Sequence, residues 1–218
     1  MVDWAGHARR EDERYRDGEA RLPDAGDHDA RQRQLTRMGN AAAGAGLAVV
    51  MAGDTEAARE WFGRAVERYR ESYELAPAGS WGRPIAILKA RILGRDWEGA
   101  EADARWTLEQ GAAETESPIG RYAGTLALLV LGRDDEAHML ADDLRVRDDF
   151  PPSVGAALAF IAAGDPLGYV EAIEAVLESF EQRKEYLEDL PVADTVVVLQ
   201  ALAARRNMSA ELSSPLLP

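Results

Sequence analysis

Arg83 and Arg121 each open an apolar helical run, so a guanidinium recurs at one place in two copies of a single unit. A guanidinium offers paired N–H groups to a planar oxyanion and can grip a carboxylate or phosphate bidentately. The competing use of such an arginine is structural, as a staple between helices through a neighbouring acid, for which Glu114, Glu116 and Asp96 are at hand. Trp81 follows the turn Pro77-Ala78-Gly79-Ser80 and sits beside Arg83, where an aromatic ring would face a groove. The remaining reactive residues are less organised. His7, His28 and His138 are scattered, and Asp24, Asp27, His28 and Asp29 read equally as ligands or as a solvated loop entering a helix N-cap. Pairs such as Asp142-Asp143 and Asp148-Asp149 read as hydrated surface. No catalytic residue, metal site or cofactor is expected.

The elements that position the two arginines repeat with them. Gly82-Arg83 through Leu93-Gly94-Arg95-Asp96 matches Gly120-Arg121 through Leu131-Gly132-Arg133-Asp134, with Leu88 on Leu126 and Glu98 on Glu136 in the same register. Gly94 and Gly132 are therefore expected to end helices at equivalent turns, in the positive-φ conformation that a β-branched residue resists. A third unit starts at Gly53, after which Ala58, Phe62 and Ala65 share one helical face, and a degenerate fourth ends at Gly164. The steps from Gly53 to Gly94, on to Gly132 and on to Gly164 shorten along the chain, so the array is irregular.

Helices are predicted at about 29–52, 55–76, 82–93, 96–110, 118–131, 134–146, 152–163, 166–188 and 192–206. The β-branched run Val196-Val197-Val198 lies between Pro191 and an alanine-rich segment and is read as buried helix, so no sheet is expected. In the first long helix, Leu35, Met38, Ala42, Ala45 and Val49 form the buried stripe, while Gly39, Gly44 and Gly46 imply a neighbour pressed close. Residues 1–28 read as a polar extension with at most a short helix, 29–208 as a single helical domain, and 209–218 as a loose tail.

The stretch Gly53 to Val66 resembles the second half of a tetratricopeptide repeat: a turn glycine, then a small residue, an aromatic and an alanine at the family's spacings. The match spans about 14 residues, and the family's early proline is replaced by a helix running on to Pro77. The resemblance implies an all-α, irregular antiparallel helix-hairpin array, coiled as a right-handed superhelix, whose concave face is built from the first helix of each pair. Carrying the family's ligand positions across places Trp81, Leu88, Arg91, Tyr122 and Leu126 on that face, and Arg83 and Arg121, which stand where the family carries a packing tryptophan, complete the groove candidates. Most of that face is apolar, including Leu47, Val50, Ile92 and Leu129, and needs a cover: the chain's own ends, a second subunit or a partner helix.

Among 218 residues there is no cysteine, and the net charge is -14 with a pI of about 4.7. This sign excludes a basic footprint for nucleic acid. No apolar run approaches a membrane span and no signal segment opens the chain, so a cytoplasmic location is expected. Only Lys89 and Lys184 are lysines. Acid excess with lysine depletion is similar to the composition of halophilic archaeal proteins; a GC-rich genome gives the same arginine and alanine bias. The reading that follows is a noncatalytic helical-repeat protein acting through a protein or peptide partner or as a homodimer. The alternatives are a small-ligand sensor or enzyme with a pocket in the helical groove, and an immunity protein neutralising a toxin. The last rests on Leu93-Gly94-Arg95-Asp96-Trp97-Glu98-Gly99-Ala100, which resembles a turn of helical toxin-immunity proteins.

Overall fold

A computed structural model describes residues 2–218. Among the described residues there are ten α-helices and no strand. The protein is all-α, an irregular array of antiparallel helices in which sequence neighbours pack on each other within each of two units. Contacts divide it into two compact units: the chain up to Asp96 with Glu185–Val192 and Pro218, and Trp97–Lys184 with Ala193–Leu217. The division falls at the short turn Arg95-Asp96, where no shift in composition marks it.

In the first unit α1 (Trp4–Arg21) packs on α2 (His28–Met51), α2 on α3 (Thr55–Glu74), and α3 on α4 (Gly82–Leu93). The α2–α3 contact explains the glycines of α2. A Cβ on Gly39 would meet Tyr69 Cε1 at 2.6 Å and one on Gly46 would meet Phe62 Cε1 at 2.8 Å, so the rings of α3 lie directly on the α2 backbone. Ala58, Phe62 and Ala65 all face inward, as their spacing requires. Asp27 and Asp54 cap the two helices by accepting from Ala30 N and Ala57 N at 2.6 and 3.0 Å.

The N-terminal stretch is more structured than its composition suggests. Instead of a short helix beside a polar extension, residues 4–21 form an unbroken α1, and Gly18 lies inside it against Met38. Its inner face buries Glu11 and Tyr15. Trp4 and Ala8 of α1, with Leu190 and Val192, cover Leu47, Ala48 and Met51 of α2. The chain's own segments thus supply part of the cover that the apolar face of α2 needs.

In the second unit α5 (Trp97–Glu109), α6 (Pro118–Val130), α7 (Asp134–Arg145), α8 (Pro152–Ala163) and α9 (Pro166–Glu181) pack in succession, and α10 (Asp194–Ala204) lies on α8 and α9. Proline in the first turn of α6, α8 and α9 loses no hydrogen bond there. Arg206 ties the end of α10 to the α6–α7 turn, donating to Leu129 O at 2.8 Å and pairing with Asp134.

Three local expectations are revised. Helix α9 stops at Glu181, short of the predicted 188, and the segment beyond it carries Glu188 and Asp189 at φ +56° and +54°. The tail is anchored: Ala193 N donates to Leu216 O at 2.9 Å and Gln200 Nε2 to Ala210 O at 3.2 Å. The two equivalent turns also differ by one residue. Gly132 takes φ +70°, but Gly94 remains helical at φ -77° and the left-handed step falls on Arg95 at φ +55°. Gly94 instead lies close to α3, where an added Cβ would reach Phe62 Cβ at 3.4 Å.

Candidate functional site

Arg83 lies in the first turn of α4, and its half-buried guanidinium reaches across to α2 and α3. Nε donates to Ser72 Oγ at 3.4 Å and Nη2 to Thr36 Oγ1 at 3.4 Å. These hydroxyls belong to one cluster: Thr36 Oγ1 and Ser72 Oγ are 2.7 Å apart, and Gln32 Nε2 donates to them at 3.1 and 3.0 Å respectively. Ser72 is wholly buried and Gln32 nearly so. No carboxylate among the described residues lies within ion-pairing distance of Arg83. Burial, with no acid to offset it, pushes the Arg83 pKa down from the usual arginine value. The site is a cation held among neutral oxygens.

Arg121, its counterpart in the next copy of the repeat, has the opposite surroundings. Nη1 pairs with Asp143 at 2.7 Å, Nη2 with Glu116 at 3.2 Å, and Nε donates to Thr115 O at 3.0 Å. It staples the α5–α6 loop and α7 to the start of α6. Arg91 pairs with Asp96 at its own helix end. The apolar candidates belong to the interior: Leu88 and Leu126 are fully buried, Tyr122 packs on Phe150 with ring centroids 5.4 Å apart, and Trp81 is buried rather than facing a groove. Ile92 and Leu129 are buried as well. Of the seven candidates, the polar heads that remain are the three arginines, Arg83 and Arg91 in the first unit and Arg121 in the second.

A second polar network in the first unit involves residues that sequence spacing does not single out. Glu11 of α1 is fully buried; its carboxylate takes Arg14 Nη1 at 2.9 Å and Arg10 Nε at 3.5 Å. Arg14 also pairs with Glu188, which accepts from Asn40 Nδ2 at 3.1 Å, and Tyr69 donates to Asn40 Oδ1 at 2.9 Å. Burial pushes the Glu11 pKa up, against the pull of Arg14. This chain of contacts fastens residues 185–192 to α1 and α2 through a left-handed Glu188, and every member has a partner.

Thr36, Ser72 and Gln32 are absent from any sequence motif, since Gln32 and Ser72 meet across 40 residues. A signal for the unusual state of Arg83 did exist in the repeat register. The positions one repeat before Glu116 and Asp143 hold Ala78 and Arg105, so both acids that neutralise Arg121 are missing from the earlier copy. Among the described residues no group of three or more His, Asp or Glu could hold a metal, and no helix is long and apolar enough to cross a membrane. No protein-family model, no curated protein and no solved structure matches the chain.

Proposed function

We propose that this chain is a noncatalytic, tetratricopeptide-like helical-repeat protein that binds another protein or a second copy of itself, in the salt-rich cytoplasm that its composition suits. The observation that carries the reading is Arg83: in an array of helix hairpins, one of two register-equivalent arginines is left without a counter-charge at a half-exposed position. Holding a cation away from both bulk water and an acid costs stability, and such a cost persists where an external group completes the site. The acid-rich surface keeps the chain hydrated and self-repelling, so an approaching partner needs a specific point of attraction. The test is sedimentation equilibrium over a concentration series in molar potassium chloride, with Arg83→Gln beside wild type, together with selection from a random displayed-peptide library. A reversible dimer, or enriched peptides, lost in Arg83→Gln supports the reading. A monomer at every concentration with no peptide enriched overturns it.

A small-ligand sensor is the second reading, favoured by the half-burial of Arg83 beside two hydroxyls, a setting suited to a ligand of few atoms. Saturable binding of a small anion, with neither dimer nor peptide, would favour it over the first.

A further inference from the structure

We infer that Arg83, with Thr36, Ser72 and Gln32 around it, is a recognition site for a single carboxylate. The inference rests on the interaction reading for the molecule that carries this group, and on the geometry below for its chemistry.

Arg83 spends one Nε–H and one Nη2–H on Ser72 and Thr36 at 3.4 Å each, distances long enough to yield to a stronger acceptor. A guanidinium has five N–H donors, so the rest of its fork remains for a ligand. The hydroxyls are held in place from behind. Ser72 Oγ and Thr36 Oγ1 lie 3.2 and 3.1 Å from the Gln32 carbonyl oxygen and 2.7 Å from each other, so one hydroxyl donates to that carbonyl and the other to its fellow hydroxyl. The arginine is thus aimed by a rigid polar platform across three helices, α2, α3 and α4, rather than by an opposing charge. Its place in the first turn of α4 adds the positive end of that helix, which no side chain caps.

The charge balance selects the ligand. One guanidinium is neutralised by one negative charge, and a second would go uncompensated on a chain whose overall charge is already -14. A monocarboxylate also has the planar two-oxygen edge that a guanidinium fork matches. Hydrogen phosphate would bring nearly twice the charge to a site holding one cation.

The experiment follows the arginine Nε–H resonances of the full-length ¹⁵N-labelled protein during titration with sodium acetate, replacing sodium chloride at constant ionic strength. Sodium phosphate at pH 7 is a parallel arm. Arg83→Lys identifies the Arg83 resonance by its loss, and Arg121 serves as the internal control. The expected result is a saturable acetate shift at Arg83 alone, weakened about tenfold in Arg83→Gln when followed on the Thr36 and Ser72 amides, as suits loss of a charge-assisted hydrogen bond. A second variant, Ser72→Ala, retains the guanidinium and is expected to weaken acetate binding because the platform no longer aims it. Equal, unsaturable drift at Arg83 and Arg121 would overturn the site, and tighter binding of phosphate than of acetate would overturn the carboxylate assignment. Neither result would alter the sedimentation outcome, so the site and the interaction reading fail separately.

Discussion

Arg83 and Arg121 begin as the same residue at the same step of one repeat and end in opposite electrostatic states. Around Arg121, Glu116 and Asp143 close an ion-pair network. Around Arg83 the contacts are hydroxyls only. Meanwhile the apolar residue of the same register is unchanged, since Leu88 and Leu126 are both fully buried. Packing positions must be kept in every copy because each helix buries its apolar face against neighbours within its own unit. A cation at the margin of the core is under no such constraint, so one copy is paired with acids and the other is not.

The sharpest check breaks the part of the comparison that should be equal. Leu88→Glu and Leu126→Glu each place a charge in the core and should each cost about 4 kcal/mol or more, enough to unfold a marginal domain. Circular dichroism melts read this out. A folded Leu88→Glu protein beside an unfolded Leu126→Glu protein would show that the two units are not structurally equivalent.

Next in size is the part that should differ. Arg121→Met leaves Asp143 with only the more distant Arg147 and removes the Thr115 contact, for an expected loss of about 1–2 kcal/mol, discounted for partial exposure. Arg83→Met should cost nothing, or stabilise by up to about 1 kcal/mol, because an uncompensated charge leaves a half-buried position. Urea denaturation with matched m-values compares them. Equal losses for both variants would make Arg83 a structural residue and remove the basis for a site.

The two turns refine the comparison at backbone level. Gly132→Val should destabilise by roughly 1–2 kcal/mol because φ is +70° there. Arg95→Gly should stabilise by up to about 1 kcal/mol, since the left-handed position of its turn is occupied by arginine at φ +55°. An Arg95→Gly variant less stable than wild type would mean that the Arg95 side chain contributes more than its strain removes.

Salt is expected to have the smallest effect on the contrast. The protein should melt higher in molar potassium chloride than at low ionic strength, as self-repulsion among its acids is screened. The loss caused by Arg121→Met should shrink in the same series while Arg83→Met stays level. Melting temperatures that ignore salt would count against the high-salt setting.

Much of the fold is legible in the sequence because helix ends are written locally. Helix α8 starts and stops where Pro152 and Gly164 place it, since a first-turn proline and a left-handed capping glycine act within one turn of chain, and α4 spans the expected Gly82–Leu93 although its left-handed step falls on Arg95. The departures have a common cause. α1 is longer than its polar sequence suggests because Glu11, Tyr15 and Gly18 become an inner face once α2 lies against them. α9 is shorter than its pattern suggests: nothing local between Glu181 and Glu188 stops a helix, whereas the contacts of Glu188 with Arg14 and Asn40 hold that segment in another conformation.

The candidate site divides along the same line. The sequence alone determined that Arg83 and Arg121 stand at the same step of a repeat and that the chain is helical with no sheet. These are properties of period and composition, which a linear chain displays in full. Only the tertiary structure decided that Trp81, Leu88 and Leu126 are interior, and that Gln32, Thr36 and Ser72 surround the unpaired guanidinium. Burial and hydrogen-bond partnership depend on which faces three helices turn toward one another, and that choice is made by packing across 40 residues and more rather than by any local pattern.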